Sequence, residues 1–217
     1  MSAEDTLGVI EEVGLVPVVR TRTKDLALKA ARALVQGGVP IVEITLTVPE
    51  ALSAIAQLRD EFSGSVVVGA GTVLGAAQAR DCLAAGAQFV VSPGLVPDVV
   101  DTVLAHDAVM MPGALTPSEV LSAVERGSQV VKLFPCSALG GARYIKQLAA
   151  PLPDVKLLPT GGITLDTVSE YIAAGAAALG VGGELVHQAS LQRGDDDEIT
   201  RRASAFLRAV KKARGEA

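Results

Sequence analysis

The chain has 217 residues, 49% of them hydrophobic and 20% charged, which is enough to bury a sizeable core and excludes intrinsic disorder. Nineteen Lys and Arg against 24 Asp and Glu give a net charge of −5, with four Phe, two Tyr and no Trp. There is neither a basic block for a phosphate backbone nor a stacking platform for bases, so a nucleic-acid partner is excluded. Cys82 and Cys136 lie far apart without CxxC spacing, so no disulfide framework or thiolate zinc site is indicated and a reducing cytoplasm is the expected compartment.

In chain order, Met1 to Gly14 reads as a short amphipathic helix. It carries Glu4, Asp5, Glu11 and Glu12 and no basic region ahead of an apolar stretch, unlike a signal peptide. A β-branched run follows at Leu15 to Arg20, then a helical pattern, Asp25 to Gln36, with Leu26, Ala30, Ala33 and Leu34 on one face and Gly37-Gly38 as its stop. The next run is Val39 to Leu46, after which Pro49 is expected to open a helix over Glu50 to Leu58. Further runs stand at Ser65 to Gly69, Gln88 to Ser92, Ala108 to Met111, Gln129 to Phe134, Val155 to Pro159 and Ala177 to Val181. The longest uncharged stretch, Phe62 to Ala79, is broken by four glycines and by polar residues, so no membrane span is expected. The tail, about 195–213, places acids first, apolar Ile199, Ala203, Phe206 and Val210 at helical spacing, and basic residues last, the order that suits a helix dipole.

The runs begin roughly 20 to 27 residues apart, about what a strand, a three-turn helix and two short loops consume. They are apolar on both faces, the condition of parallel strands covered by helices. Eight such units predict a compact (β/α)8 TIM barrel with an extra N-terminal helix, as one domain over residues 1–217; an open doubly wound sheet is the rival arrangement. In a barrel the chemistry sits at the C-terminal ends of the strands.

In the sixth unit, QVVKLFP, Lys132 lies inside an apolar strand beside Phe134. It is either a snorkelling or salt-bridged side chain or a Schiff-base lysine, whose amine must be neutral to attack a ketone. In the second unit Glu43 lies among Val39, Ile41, Val42 and Ile44, either satisfied by a buried partner such as Lys132 or Arg20 or serving as a general acid/base tuned by burial. Arg20 closes the first strand, where its fork of donors suits a substrate carboxylate, with plain surface charge as the alternative. GAGTVLG (Gly69 to Gly75) lacks the spacing and the downstream acid of a dinucleotide fingerprint. Instead, Gly69 and Gly71 are expected to let the backbone approach a small ligand, with Thr72 offering a hydroxyl. The pairs Gly161-Gly162 and Gly182-Gly183 follow the last two runs, where barrels commonly bind phosphate. Glu184 stands next to the second pair and repels phosphate unless its side chain turns outward. His106 and His187 lack metal-ligand spacing, so neither a metal nor another cofactor is expected. Cys136 has no histidine near it in sequence to activate it.

VPVVR, VEITL, VGAGTV, FVVSPG, MPGALTPSE, VKLFP and LPTGGI, in this order across about residues 8–187, closely resemble the class I 2-keto-3-deoxy-6-phosphogluconate (KDPG) aldolase family, which includes 4-hydroxy-2-oxoglutarate aldolases. The resemblance implies a homotrimeric, metal-free barrel in which Lys132 forms the Schiff base and Glu43 moves protons. It places Thr72, Pro93 and Phe134 on the pyruvate half of the site, and Thr160 with the glycine pairs on the distal half. Thr160 is similar to the gluconate-type members, whereas a related galactonate branch tends to have an apolar residue there. The chain departs from the family pattern at Thr47, where some members hold the pyruvate carboxylate with an arginine that Arg20 is then expected to replace, and at Glu184. The activity so implied is cleavage of a 2-keto-3-deoxy-4-hydroxy acid to pyruvate and an aldehyde. The alternatives are an aldolase for the galactonate epimer or an unphosphorylated acid, a phosphosugar isomerase or epimerase, and a non-catalytic binding barrel.

Overall fold

A computed structural model describes residues 1–216. The chain begins with α1 (Ala3–Val13), opened by a reciprocal cap between Ser2 and Asp5, and then alternates strand and helix. The strands are β1 (Leu15–Val19), β2 (Ile41–Thr45), β3 (Val67–Gly71), β4 (Phe89–Val91), β5 (Val109–Met111), β6 (Gly113–Ala114), β7 (Val131–Leu133), β8 (Leu157–Pro159) and β9 (Leu179–Val181). The helices between and after them are α2 (Lys24–Gln36), α3 (Ala51–Phe62), α4 (Ala76–Ala84), α5 (Pro97–Leu104), α6 (Pro117–Glu125), α7 (Ala142–Ala149), α8 (Val168–Ala173), α9 (Gln188–Gln192) and α10 (Asp196–Arg214).

All strand pairs are parallel, in the orders β5-β4-β3-β2-β1-β9 and β6-β7-β8. The two sheets join into one ring. At one seam the strand continues beyond the fifth sequence run, which ends at Met111: β6 follows β5 after Pro112, which has no N–H to give the ladder. Ahead of it, the Met111 carbonyl accepts from Ser92 N; at the break, the Pro112 carbonyl accepts from Lys132 N at 2.9 Å. The strand thus changes partner from β4 to β7. At the other seam, bridges Leu157↔Ala176 and Thr160↔Gly180 tie β8 to β9. Counting β5 and β6 as one interrupted strand, this is the expected (β/α)8 barrel with its extra N-terminal helix.

The start of α3 differs from expectation. Pro49 does not open α3: Glu50 stands between them as N-cap with φ 55°, so the proline ends the β2 exit loop. The tail forms α10, with Asp196, Asp197 and Glu198 in its first turn and Lys211, Lys212 and Arg214 in its last. Ile199, Ala203, Phe206 and Val210 are buried, so this helix is a packed part of the barrel wall. Arg214 donates to the carbonyls of Glu11, Glu12 and Ala177, each at 2.8 Å, closing the end of the barrel remote from the strand C-termini. No helix among the described residues is long and apolar enough to cross a membrane.

Candidate active site

Alternation along the strands decides which polar groups face the barrel interior. Along β2, Ile41, Glu43 and Thr45 share one face and Val42 and Ile44 the other, and all five are buried. A side chain on Gly71 would bring its Cβ within 1.9 Å of Glu43 Oε1; on Gly69 it would lie 2.3 Å from the Phe89 ring. From the sequence these glycines are expected to bring backbone to a ligand, but neither is among the residues that line the cavity at the strand C-termini. They make room inside the barrel for a carboxylate and an aromatic ring.

Glu43 is 1% exposed, and its Oε1 has no hydrogen-bond partner among the described residues. Burial pushes its carboxyl above the usual carboxylate range, while the charges of Lys132 and Arg20 pull the other way. Lys132, the central residue of β7, is 8% exposed and carries its Nζ 5.1 Å over the centroid of the Phe134 ring. The buried acid and the buried amine stand on β2 and β7, in different sheets of the ring, and barrel closure brings the charge of one within reach of the other.

Above them opens a cavity of about 510 Å³ at the strand C-termini. Lys132, Arg20, Thr72, Pro93, Phe134, Thr160 and all four glycines 161, 162, 182 and 183 line it; every substrate-contact residue expected from sequence is brought to this one place. Glu43 lies beneath the cavity, outside its lining. Arg20 donates to the hydroxyls of Thr47 and Thr72, both at 3.3 Å, and Thr47 is bonded in turn to buried Thr45 at 2.8 Å. This hydroxyl relay, with Thr45 and Thr47 two apart in VEITLT, escaped sequence reading; only the alternation of threonines hinted at it. Thr72 has φ 62°, a left-handed conformation costly for a β-branched residue and typical of a position over-determined by a site.

The distal wall carries Thr160, whose hydroxyl faces Gly180: a Cβ there would lie 2.2 Å from Thr160 Oγ1. Gly161 and Gly162 take φ 94° and 75°. The N–H groups of Gly162 and Gly183 have no protein acceptor among the described residues, leaving them free for an anion. Glu184, exposed, is also part of the lining. Cys136 is buried in a 3-10 turn over Cys136–Leu139 and its thiol is pushed up to about 11 by burial, which makes it unreactive. His106 and His187 bond locally to Thr102 and Ser190. Among the described residues no cluster of His, Cys, Asp or Glu could hold a metal ion.

A closed parallel barrel with a buried lysine and a buried carboxylate at the C-terminal end of its strands has the architecture of one class, the (β/α)8-barrel enzymes. Within that class, the sequence profile described as "KDPG and KHG aldolase" matches residues 8–202, and the chain belongs to this aldolase family of lyases. It is 40% identical over 201 residues to the 2-dehydro-3-deoxy-phosphogluconate aldolase of Treponema pallidum, covering 93% of this chain and 95% of that one. It is 35% identical to the KHG/KDPG aldolase of Escherichia coli K12, covering 91% and 92%. Among solved structures, the KDPG aldolase of Legionella pneumophila, with pyruvate captured as a covalent carbinolamine, superposes with a TM-score of 0.86 at 31% identity, over 93% of this chain and 97% of that one.

Proposed function

We propose that this protein is a Schiff-base aldolase that cleaves a 2-keto-3-deoxy-4-hydroxy acid, 2-dehydro-3-deoxy-6-phosphogluconate and 4-hydroxy-2-oxoglutarate being the substrates its relatives' names indicate. The observation that carries it is the pairing of buried Lys132 and buried Glu43 under one cavity. The Lys132 amine adds to the C2 ketone to give a carbinolamine; loss of water leaves a protonated imine, the electron sink. Glu43 takes the proton of the C4 hydroxyl as the C3–C4 bond breaks, so that its electron pair enters the imine system as an enamine and the aldehyde departs. Protonation at C3 and hydrolysis release pyruvate and restore the amine. Arg20, oriented by Thr47 and Thr72, holds the pyruvate carboxylate with its fork of donors. Pro93 and Phe134 wall the pyruvate half, while Thr160 and the Gly161-Gly162 and Gly182-Gly183 turns receive the aldehyde half. The chain acts as one domain over residues 1–217. Two buried, unpaired cysteines support a reducing, cytoplasmic setting, and the exposed Leu52 and Leu74 support a homotrimer.

The test is borohydride reduction in the presence of pyruvate, followed by intact mass measurement and peptide mapping. The expected result is a single reduced pyruvyl adduct on Lys132, with near-complete loss of both adduct and turnover in Lys132→Ala. Turnover near wild type in that variant, or no adduct on folded protein in excess pyruvate, overturns the covalent step. An isomerase using two acid/base groups and no imine then takes its place.

A further inference from the structure

The hydroxyl relay behind Arg20 can run in only one direction. The Val19 carbonyl can only accept, so the Thr45 hydroxyl spends its single proton there, at 3.1 Å. The 2.8 Å contact between Thr45 and Thr47 must then use the Thr47 proton. Thr47 is left with lone pairs alone to turn toward Arg20, whose guanidinium only donates. Each link fixes the polarity of the next. Thr45 is 0% exposed and shielded from water that could take its place in the relay, whereas Thr47 and Arg20 are exposed. The relay thus starts on the main chain of β1 one residue before Arg20, passes through the end of β2, and returns to the Arg20 side chain at the mouth.

What holds Arg20 also decides how much of its charge a ligand meets. Among the described residues no acid pairs with it, and both of its side-chain partners, Thr47 and Thr72, are neutral acceptors. A carboxylate in their place would orient the guanidinium and cancel its charge; a hydroxyl orients it and leaves the charge whole. One N–H on each terminal nitrogen is engaged, so each nitrogen keeps a second for a bidentate carboxylate. Thr47 has no proton left to give, so it serves the arginine and not the ligand.

We propose that Thr45 is a positioning residue for recognition of the substrate's C1 carboxylate: by fixing the polarity of the Thr47 hydroxyl it holds the fork of Arg20 in place. The inference rests on the aldolase reading and adds to it a residue that does not line the cavity. Without the Thr45 hydroxyl, the Thr47 proton is free to turn toward the guanidinium, and Arg20, a long exposed side chain, recovers rotamers that it must lose again on binding. The cost falls on holding the carboxylate and leaves the amine of Lys132 in place.

The experiment compares wild type, Thr45→Val and Thr45→Ser by the initial rate of borohydride-trapped adduct against the concentration of pyruvate and of pyruvamide, whose C1 is a neutral carboxamide. Thr45→Val keeps the β-branched shape and is expected to raise the half-saturating pyruvate about 3- to 10-fold. It should raise KM of the cleaved keto acid by a similar factor, with kcat less affected, and leave the pyruvamide value unchanged, while Thr45→Ser stays close to wild type. In a Thr47→Val background, where the relay is already cut, Thr45→Val should cost nothing further. An unchanged pyruvate value in Thr45→Val, an equal rise for pyruvamide, or a Thr45→Ser as weak as Thr45→Val overturns the proposal. If circular dichroism shows that Thr45→Val does not fold, Thr47→Val at its exposed position decides, an unchanged pyruvate value overturning the relay. If wild type forms no adduct, the aldolase reading fails, and the shift of Tm by pyruvate decides the relay by itself, a shift no larger in wild type than in Thr45→Val overturning it.

Discussion

Glu43 shows how much a single buried group decides. It is an acid without a hydrogen-bond partner for Oε1, and Gly71 is a glycine because any side chain there would occupy the carboxylate's place. Burial raises its carboxyl above the ordinary value of 4.5, so between that value and its native one the folded chain holds a proton that the unfolded chain has released. Stability then falls as pH rises through this window. Glu43→Gln removes the penalty while keeping the shape. It is expected to lose about 10²- to 10⁴-fold in turnover yet to gain about 1 kcal/mol at pH 7, about 2–4 °C in Tm for a chain of this length. The gain should shrink toward zero as pH falls below 4.5. Calorimetry and initial rates across pH check both halves, and a Tm at pH 7 below wild type would show that the carboxylate is a net stabilising partner of Lys132. Both site groups were legible in the sequence as charges inside β-branched runs. The role of Gly69 and Gly71 was not, because a sequence shows a missing side chain without showing which neighbour uses the space.

At the scale of elements, the eight apolar runs were legible because parallel strands buried on both faces cannot be written with polar residues. Their ends were less so: the run beginning at Ser65 forms a strand only from Val67 to Gly71, and Pro49 sits outside the helix it was expected to open. The split at Pro112 depends on which neighbour each half finds, a matter of ring closure that no local pattern carries. Its physical cost is visible at Gly113, where a Cβ would lie 2.1 Å from Pro93 O and 2.5 Å from Gly94 N. These are backbone atoms that cannot swing away, and Pro93 lines the cavity. Gly113→Ala is therefore expected to destabilise by at least about 2 kcal/mol and to lower kcat/KM by displacing Pro93. Gly75, the N-cap of α4, has nothing within 4 Å, and Gly75→Ala should stay within about 1 kcal/mol of wild type. Chemical denaturation of the pair distinguishes them, and equal stability of the two variants would remove the crowding argument at the seam.

The whole molecule poses a question that one chain's core does not answer. Leu74 is 57% exposed and Leu52 37%, and Leu52 lines a groove to which Leu74 is tied. Gln78, which lines it with Leu52, accepts through Oε1 from Leu74 N at 2.8 Å. Two large exposed aliphatic side chains, one of them two residues from Thr72, are surface that a further copy of the chain would cover, and a closed ring of identical contacts leaves none of it open. The homotrimer proposed above predicts a species of about 66 kDa, three times the 22.1 kDa chain, in sedimentation velocity at micromolar concentration. A charge placed in that contact opposes association without touching the barrel interior, so Leu74→Glu should sediment as the single chain while its far-UV circular dichroism stays that of wild type. Because Arg20 is held by the hydroxyl of Thr72, only two residues from Leu74, loss of the contact should also raise KM for pyruvate-forming substrates. A wild-type protein that sediments at 22.1 kDa, or a Leu74→Glu variant that keeps the wild-type sedimentation coefficient, would assign the groove to something other than self-association.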